Sequence, residues 1–440
     1  MPDSTRRTIF SFAGIASIRV LTAVSQLILI AGASQVFSKD EFGRFAIAYA
    51  LARLLQAGSG LGAQSYLLKD IPYRQVHGRP WHSNRSAALY FVVAPLAICI
   101  VAGVALESLA TFGGGIYPLL AGQGAAIAVF AFLWTILVTL AVYVRTLRSS
   151  SEAMLLKELA APAALLVTMG LGWLNGDISI TQLLLGAGLL LLLGELVMIG
   201  WHLYKSWLPV GGPNGESVPF PELRAYWGTV LLNTMTSQLD IVLAGIVLSP
   251  AAVGLYTIIK RITYVMTLAV SVVVWMYAPR ISRASAAANT TALYHFARRC
   301  MQFTLAPAAV VLLLLLVAIP WWTAYFDIDT NKTFWILFAL MLGSQILSVS
   351  LGSTMMFATQ TGQPLLMVKS LSRAIAIVAP LTLVAGSIVG VIGVAASQLM
   401  MIFLMKWPVR RSLLKEQGLD VSLSVLFRKP APGSEVATKD

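Results

Sequence analysis

The sequence predicts an all-α polytopic membrane protein with twelve transmembrane helices in two pseudo-symmetric six-helix bundles. Three observations lead there. Of 440 residues, 58% are hydrophobic and 11% charged, where a soluble domain carries about 25% charged residues. Apolar runs repeatedly reach the ~20 residues that a helix needs to cross hydrocarbon. Finally, a short motif recurs near mid-chain, at an offset of 211 residues.

The first apolar run follows Arg6 and Arg7 and predicts a helix over 8–34. It is too long for a signal-peptide core and lacks a small-x-small cleavage site, so it reads as a retained first span. Runs bounded by charges or by Gly, Pro and Asn predict further spans at 42–65, 86–110, 119–144, 154–174 and 178–204. These complete a first bundle over 1–204. Residues 205–224, with Gly211, Gly212, Pro213, Asn214 and Gly215, read as a linker on the cytoplasmic side. A second bundle over 225–409 then holds spans at 225–248, 253–279, 302–322, 333–357, 367–388 and 390–409. Only Gly386, Ser387 and Gly390 separate the last two, and 410–440 reads as a cytoplasmic tail.

Orientation follows from the cations. Of 31 Lys and Arg, 24 fall at the two ends or in, or within two turns of, one set of alternate loops. The opposite loops hold Lys39, Arg44 and Lys332. Positive loops stay cytoplasmic, so both termini are expected there. Trp173, Trp201, Trp207, Trp227, Trp275, Trp321, Trp322 and Trp407 fall near span ends, where interfacial aromatics anchor a helix. The net charge of +13 is thus topological, and no nucleic-acid surface is implied. Cys99 lies in an apolar run and Cys300 in a basic loop, which implies neither a disulfide framework nor a metal site.

The repeat sets Ser38, Gly43 and Phe45 against Ser249, Gly254 and Tyr256, each pair 211 residues apart at the start of the second helix of a bundle. At the same offset Tyr66 matches Tyr277, and Lys69 matches Arg280. Two homologous bundles of six spans share one topology, related by an axis along the membrane normal. Rocking one bundle against the other would open a central cavity alternately to each side, which points to transport.

Four cations remain deeper inside spans: Arg19, Arg53, Lys260 and Arg261. A charge at mid-bilayer costs roughly 2.5–3.5 kcal/mol, so such residues face a watery cavity or a partner. Arg53 lies ten residues past Gly43, about 15 Å along the helix and near the midplane. Tyr49 shares its face one turn earlier. At the repeat offset Lys260 replaces Tyr49 and Tyr264 replaces Arg53, so each bundle presents one cation and one tyrosine. Such a lining would attract an anion and stack on sugar rings. A bridge to an acid or to backbone carbonyls is the structural alternative for these cations. Arg261 points about 100° from Lys260, toward neighbouring helices.

Two acids lie well inside spans, Glu195 and Asp240. Asp240 is a candidate partner for Lys260 or Arg261, and Arg19 for the cavity or for Glu195. Either acid is also a candidate for coupling to a proton or sodium gradient, because intramembrane carboxylates relay ions. No soluble-site chemistry is expected. Glycines 113–115 lack a following Gly-Lys-Ser/Thr, so no ATP phosphate loop is present. His77, His82, His202 and His295 are scattered without zinc-ligand spacing and read as interfacial. Residues 292–302 read as an amphipathic lead-in lying on the cytoplasmic leaflet.

The run Phe37-Ser-Lys-Asp-Glu-Phe-Gly-Arg-Phe45, Gln238-Leu-Asp-Ile-Val-Leu-Ala-Gly245, Val253-Gly-Leu-Tyr256 and Tyr277-Ala-Pro-Arg280 resemble the polysaccharide transporter family. These are the Wzx-type flippases of the MOP exporter superfamily. The resemblance in span order covers essentially the whole chain, and the motifs are short and degenerate. It implies a MOP/MATE-like fold in the bacterial inner membrane and no resident cofactor. It also implies a cargo, an undecaprenyl-pyrophosphate-linked oligosaccharide flipped ahead of polymerisation into O antigen, capsule or exopolysaccharide. Membrane lipids, a polysaccharide polymerase and a chain-length regulator are the partners it implies. The two extra helices of the related peptidoglycan-precursor flippase are not found in the sequence. Two alternatives stay open. A cation-coupled multidrug exporter of the same fold should have an acidic cavity, against which four cations to two acids count. A membrane polymerase or ligase needs a large outer loop, and Thr111–Pro118 and Trp321–Lys332 are short; no enzymatic activity is expected.

Overall fold

The computed structural model describes residues 2–77, 82–112, 120–147, 150–176, 178–204, 216–287 and 289–427. These form helices α1 (Pro2–Val36), α2 (Lys39–Ser59), α3 (Ala63–His77), α4 (Asn84–Ala88), α5 (Ala94–Phe112), α6 (Gly124–Leu147), α7 (Ser150–Asn175), α8 (Ile180–Tyr204) and α9 (Phe220–Val247). Then follow α10 (Pro250–Tyr264), α11 (Leu268–Ala286), α12 (Thr290–Val317), α13 (Ile319–Tyr325), α14 (Lys332–Ser350), α15 (Thr354–Gln360), α16 (Pro364–Val389) and α17 (Val391–Gln417). Among the described residues there is no strand, only one isolated bridge between His82 and Glu216.

The local chemistry explains the boundaries. Ser38 and Glu41 form a capping box that starts α2, with Glu41 N donating to Ser38 Oγ at 3.3 Å and Ser38 N to Glu41 Oε2 at 3.1 Å. Asn289 and Asn331 cap α12 and α14 through their side-chain oxygens. Gly390, at φ +68°, is the one-residue break between α16 and α17. Element boundaries also follow the repeat. Val36 and Val247 end α1 and α9, Lys39 and Pro250 start α2 and α10, and Ile180 and Val391 start α8 and α17. Each pair is 211 residues apart.

Ten stretches among the described residues are long and apolar enough to cross a membrane. The outward faces of α5, α8, α12 and α16 carry Val101, Val197, Leu313 and Ile388 at 68%, 72%, 63% and 76% exposure. Continuous apolar surface of this kind needs lipid against it. The chain is a multi-pass membrane protein. Two expected spans are absent from the ten. In α1, whose side chains before Ser17 and at Arg19 lie outside the described residues, Val20–Val36 is an apolar stretch. Helix α2 carries Arg44 and Arg53 and is packed inside.

Several expected spans are broken rather than continuous. The span expected at 42–65 ends at Ser59, turns through Leu61 and Gly62 at φ +47° and +78°, and resumes as α3. The span expected at 253–279 tightens to a 3-10 turn at Val265–Thr267. That expected at 333–357 breaks at Leu351–Ser353, with Gly352 at φ +66°. Of the expected linker, 205–215 lie outside the described residues, and α9 already begins at Phe220. Helix α17 runs eight residues past the expected end of the last span, and Leu419 to Ser422 beyond it are buried.

The chain divides into two compact units, Val24–Gly254 and Met1–Ala23 with Leu255–Asp440. In the first, α2 packs between α6 and α9, and α6 also lies against α5, α7 and α8. In the second, α14 and α16 pack on α17, and α11 on α12. Tyr277, Cys300, Phe357, Leu413 and Val425 lie in the second unit's core.

Candidate functional site

Helix α2 places Phe45, Tyr49, Arg53 and Gln56 on one face, three or four residues apart. This face meets α6 at Trp134. The Tyr49 ring stacks on Trp134 with centroids 5.8 Å apart and on Phe45 at 6.0 Å. The Arg53 guanidinium carbon lies 5.4 Å from the Trp134 ring centre, within cation–π range. One turn further, Ser59 Oγ and Thr135 Oγ1 hydrogen-bond at 2.8 Å, and Thr135 Oγ1 also donates to the Gln56 carbonyl at 3.3 Å. A polar seam therefore runs along α2 and α6 inside the apolar unit.

The seam holds buried polar atoms with unmet hydrogen-bonding capacity. Tyr49 Oη, Arg53 Nε and Gln56 Nε2 are shielded from solvent and have no hydrogen-bond partner among the described residues. Most buried polar groups are satisfied, so three such atoms within eight residues make this face the candidate site. The aromatic wall orients the guanidinium and leaves an N–H donor for an anion.

The structure brings Tyr49 and Arg53 together, as their spacing predicts. Glu195 on α8 and Asp240 on α9 belong to the same unit as Arg53 and are buried, at 3% and 8% exposure. Glu195 Oε1 has no hydrogen-bond partner among the described residues, whereas Asp240 is partnered. Lys260, Arg261 and Tyr264 lie on α10 in the other unit. Lys260 is buried and partnered, Arg261 is partly buried and partnered, and Tyr264 is about half exposed. The side chain of Arg19 lies outside the described residues.

Sequence reasoning missed Trp134. Its signal was available, since a tryptophan in mid-span departs from the interfacial habit of that residue. Two expected anchors are instead packing residues. Trp227 Nε1 donates to the Gly58 carbonyl at 2.7 Å, and Trp322 packs with a tilted ring against Phe334 and Phe338. Cys300, expected in a loop, is buried on α12 beside Leu293, Ala297 and Met301, while His295, Arg298 and Arg299 project outward.

Two buried polar clusters were also missed. His82, expected at an interface, is buried against Asp70. Its Nε2 lies 2.8 Å from Asp70 Oδ2, which also accepts from Arg74 Nε at 2.7 Å. Arg74 continues to Glu216 at 3.0 Å, tying α3 to the segment that leads into α9. Burial pushes the Asp70 carboxyl up, but the hydrogen bonds from His82 and Arg74 outweigh it and leave it below its ordinary value. In the other unit Arg410 donates to both Asp420 oxygens, at 3.3 and 3.1 Å, and Ser422 and Ser424 add hydroxyl donors. Burial again opposes, yet these donors hold the Asp420 carboxyl down at about 2. Among the described residues no group of His, Cys, Asp and Glu could hold a metal ion.

This architecture is the MATE/MOP transporter fold. The chain is similar to the Vibrio cholerae MATE transporter VcmN, with TM-score 0.58 at 14% identity over 97% of this chain and 99% of that one. It is similar to the lipid II flippase MurJ in its inward closed conformation, with TM-score 0.57 at 15% identity over 95% and 90%. An outward-facing multidrug resistance MATE family transporter of the MOP superfamily gives TM-score 0.59 at 15% identity over 92% and 96%. The sequence matches no protein-family model and none of the curated proteins.

Proposed function

We propose that this protein is a MOP-type transporter that flips an undecaprenyl-pyrophosphate-linked oligosaccharide across the bacterial inner membrane by alternating access. The observation that carries the reading is Arg53, a guanidinium seated on Trp134 with a buried Nε that has no hydrogen-bond partner among the described residues. A pyrophosphate or an acidic sugar supplies the acceptors such a group lacks. Tyr49 and Trp134 add aromatic faces suited to sugar rings, and the prenyl tail would stay in lipid. Lys260, with Tyr264 and Arg261 nearby on α10, is the counterpart in the second half of the repeat. A structural neighbour that is a lipid II flippase supports the same class of cargo. The polysaccharide polymerase and chain-length regulator would act on the flipped product.

A cation-coupled multidrug exporter is the second reading. It is favoured by Glu195, whose buried carboxylate has an oxygen without a hydrogen-bond partner among the described residues, and by MATE neighbours. Glu195 and Asp240 are in either reading the groups through which a proton or sodium gradient would act.

The experiment compares a deletion strain with the same strain carrying the wild-type chain. Lipid-linked repeat units should accumulate on the inner leaflet and appear outside on complementation. Arg53→Ala and Lys260→Ala should insert normally and fail to complement. If no intermediate accumulates and drug sensitivity rises instead, the exporter reading replaces the flippase.

A further inference from the structure

Lys406 stands on α17 at 7% exposure, within a membrane-spanning stretch. Its Nζ donates to the Ser348 carbonyl at 2.8 Å, the Ser348 hydroxyl at 2.9 Å and the Gly352 carbonyl at 3.2 Å. No carboxylate contacts it among the described residues. The break between α14 and α15 makes this oxygen set. Gly352 N turns back to the Val349 carbonyl at 2.9 Å, which leaves the Ser348 carbonyl without its helical donor. Three acceptors around one nitrogen match the three N–H donors of an ammonium ion. Ser353, the next residue of the break, is buried and has an Oγ with no hydrogen-bond partner among the described residues.

Carbonyl oxygens freed where a transmembrane helix unwinds are the groups that transporters present to a monovalent cation. Here the positive charge at that place belongs to the chain. We propose that Lys406 is a tethered cation filling a monovalent-cation site at the α14–α15 break, so that the broken helix is held without uptake of a soluble cation. The ammonium satisfies the released carbonyls and opposes the negative C-terminal end of α14. Any cation coupling then falls to carboxylates and not to this oxygen set.

Removing the tether should turn a built-in charge into a requirement for salt. Purified wild type, Lys406→Ala and Lys406→Ser are melted in detergent with sodium, potassium or methylammonium chloride, against N-methylglucamine chloride at equal ionic strength. The wild type should melt alike in all four. Both variants should melt several degrees lower in the bulky cation and recover saturably with a small one, as ligand linkage requires. The serine variant offers an extra oxygen to an incoming cation and serves where alanine alone prevents folding. The proposal is overturned if the variants melt like wild type in every salt, or if small and bulky cations leave them equally destabilised. Aggregation of both variants in every salt overturns it as well.

Discussion

Arg53 and Lys406 are both cations on helices packed inside their own units, yet their surroundings are opposite. Lys406 has an oxygen for each of its three hydrogens, all supplied by one broken helix. Arg53 has an aromatic ring beneath it and a buried N–H donor without a partner among the described residues. A buried charge whose donors are all used holds structure together. One with a donor to spare has the capacity to bind an acceptor, the role proposed for Arg53.

The strongest way to break this comparison is to neutralise each cation without changing its bulk. Lys406→Met should destabilise the protein by about 3 kcal/mol or more, since buried oxygens left without a donor cost about 1–3 kcal/mol each. Arg53→Met should cost less, about 1–2 kcal/mol in stability, the worth of its partly desolvated cation–π contact. Cargo flipping by Arg53→Met should nevertheless fall about tenfold or more, the loss of a charge-assisted hydrogen bond to the ligand. Equal melting temperatures for the two variants would erase the distinction.

Next in size is Gly352→Ala. Gly352 has φ +66°, and a Cβ there would lie 2.2 Å from the Val421 carbonyl oxygen. The left-handed conformation alone costs roughly 1–2 kcal/mol for a residue with a side chain. A melting temperature depressed by several degrees, with the proposed flipping intact below it, is the expected result. Gly254→Ala, by contrast, meets the Phe42 ring at 2.9 Å, a side chain that can give way, and should cost less.

The clasp that closes the second unit sharpens the comparison through pH. Asp420 has its carboxyl held at about 2, against an ordinary 3.8. A depressed folded-state value adds stability above pH ~4 that is lost as pH falls toward 2, about 2 kcal/mol in all. Asp420→Asn should remove that acid-dependent component, so a wild-type and variant pair melted from pH 6 to pH 2 should converge at the acid end. Trp134→Phe is the smallest test. A ring remains under the guanidinium, and the weaker cation–π contact should reduce flipping only a few-fold.

The sequence alone determined the class of architecture. Its apolar runs demanded a helical membrane protein, because backbone groups in lipid are satisfied only inside helices or closed barrels. The 211-residue repeat was legible in Ser38, Gly43 and Phe45 against Ser249, Gly254 and Tyr256, and it reappears in the helix boundaries. The pairing of Tyr49 with Arg53 was legible too, because helical periodicity fixes which residues share a face. What only the tertiary structure decided was the partner of each face. Trp134 comes 81 residues after Arg53, and nothing local announces that contact. Lys406 falls near the end of the expected last span and counts with the cations of the C-terminal end, although Val394, Gln398, Ile402, Val409 and Leu413 mark a buried face at helical spacing that includes it. Burying it required the break at Leu351–Ser353, which frees carbonyls on a different helix. Periodicity sets the face a residue occupies, whereas packing between distant helices settles whether a charge on that face is satisfied.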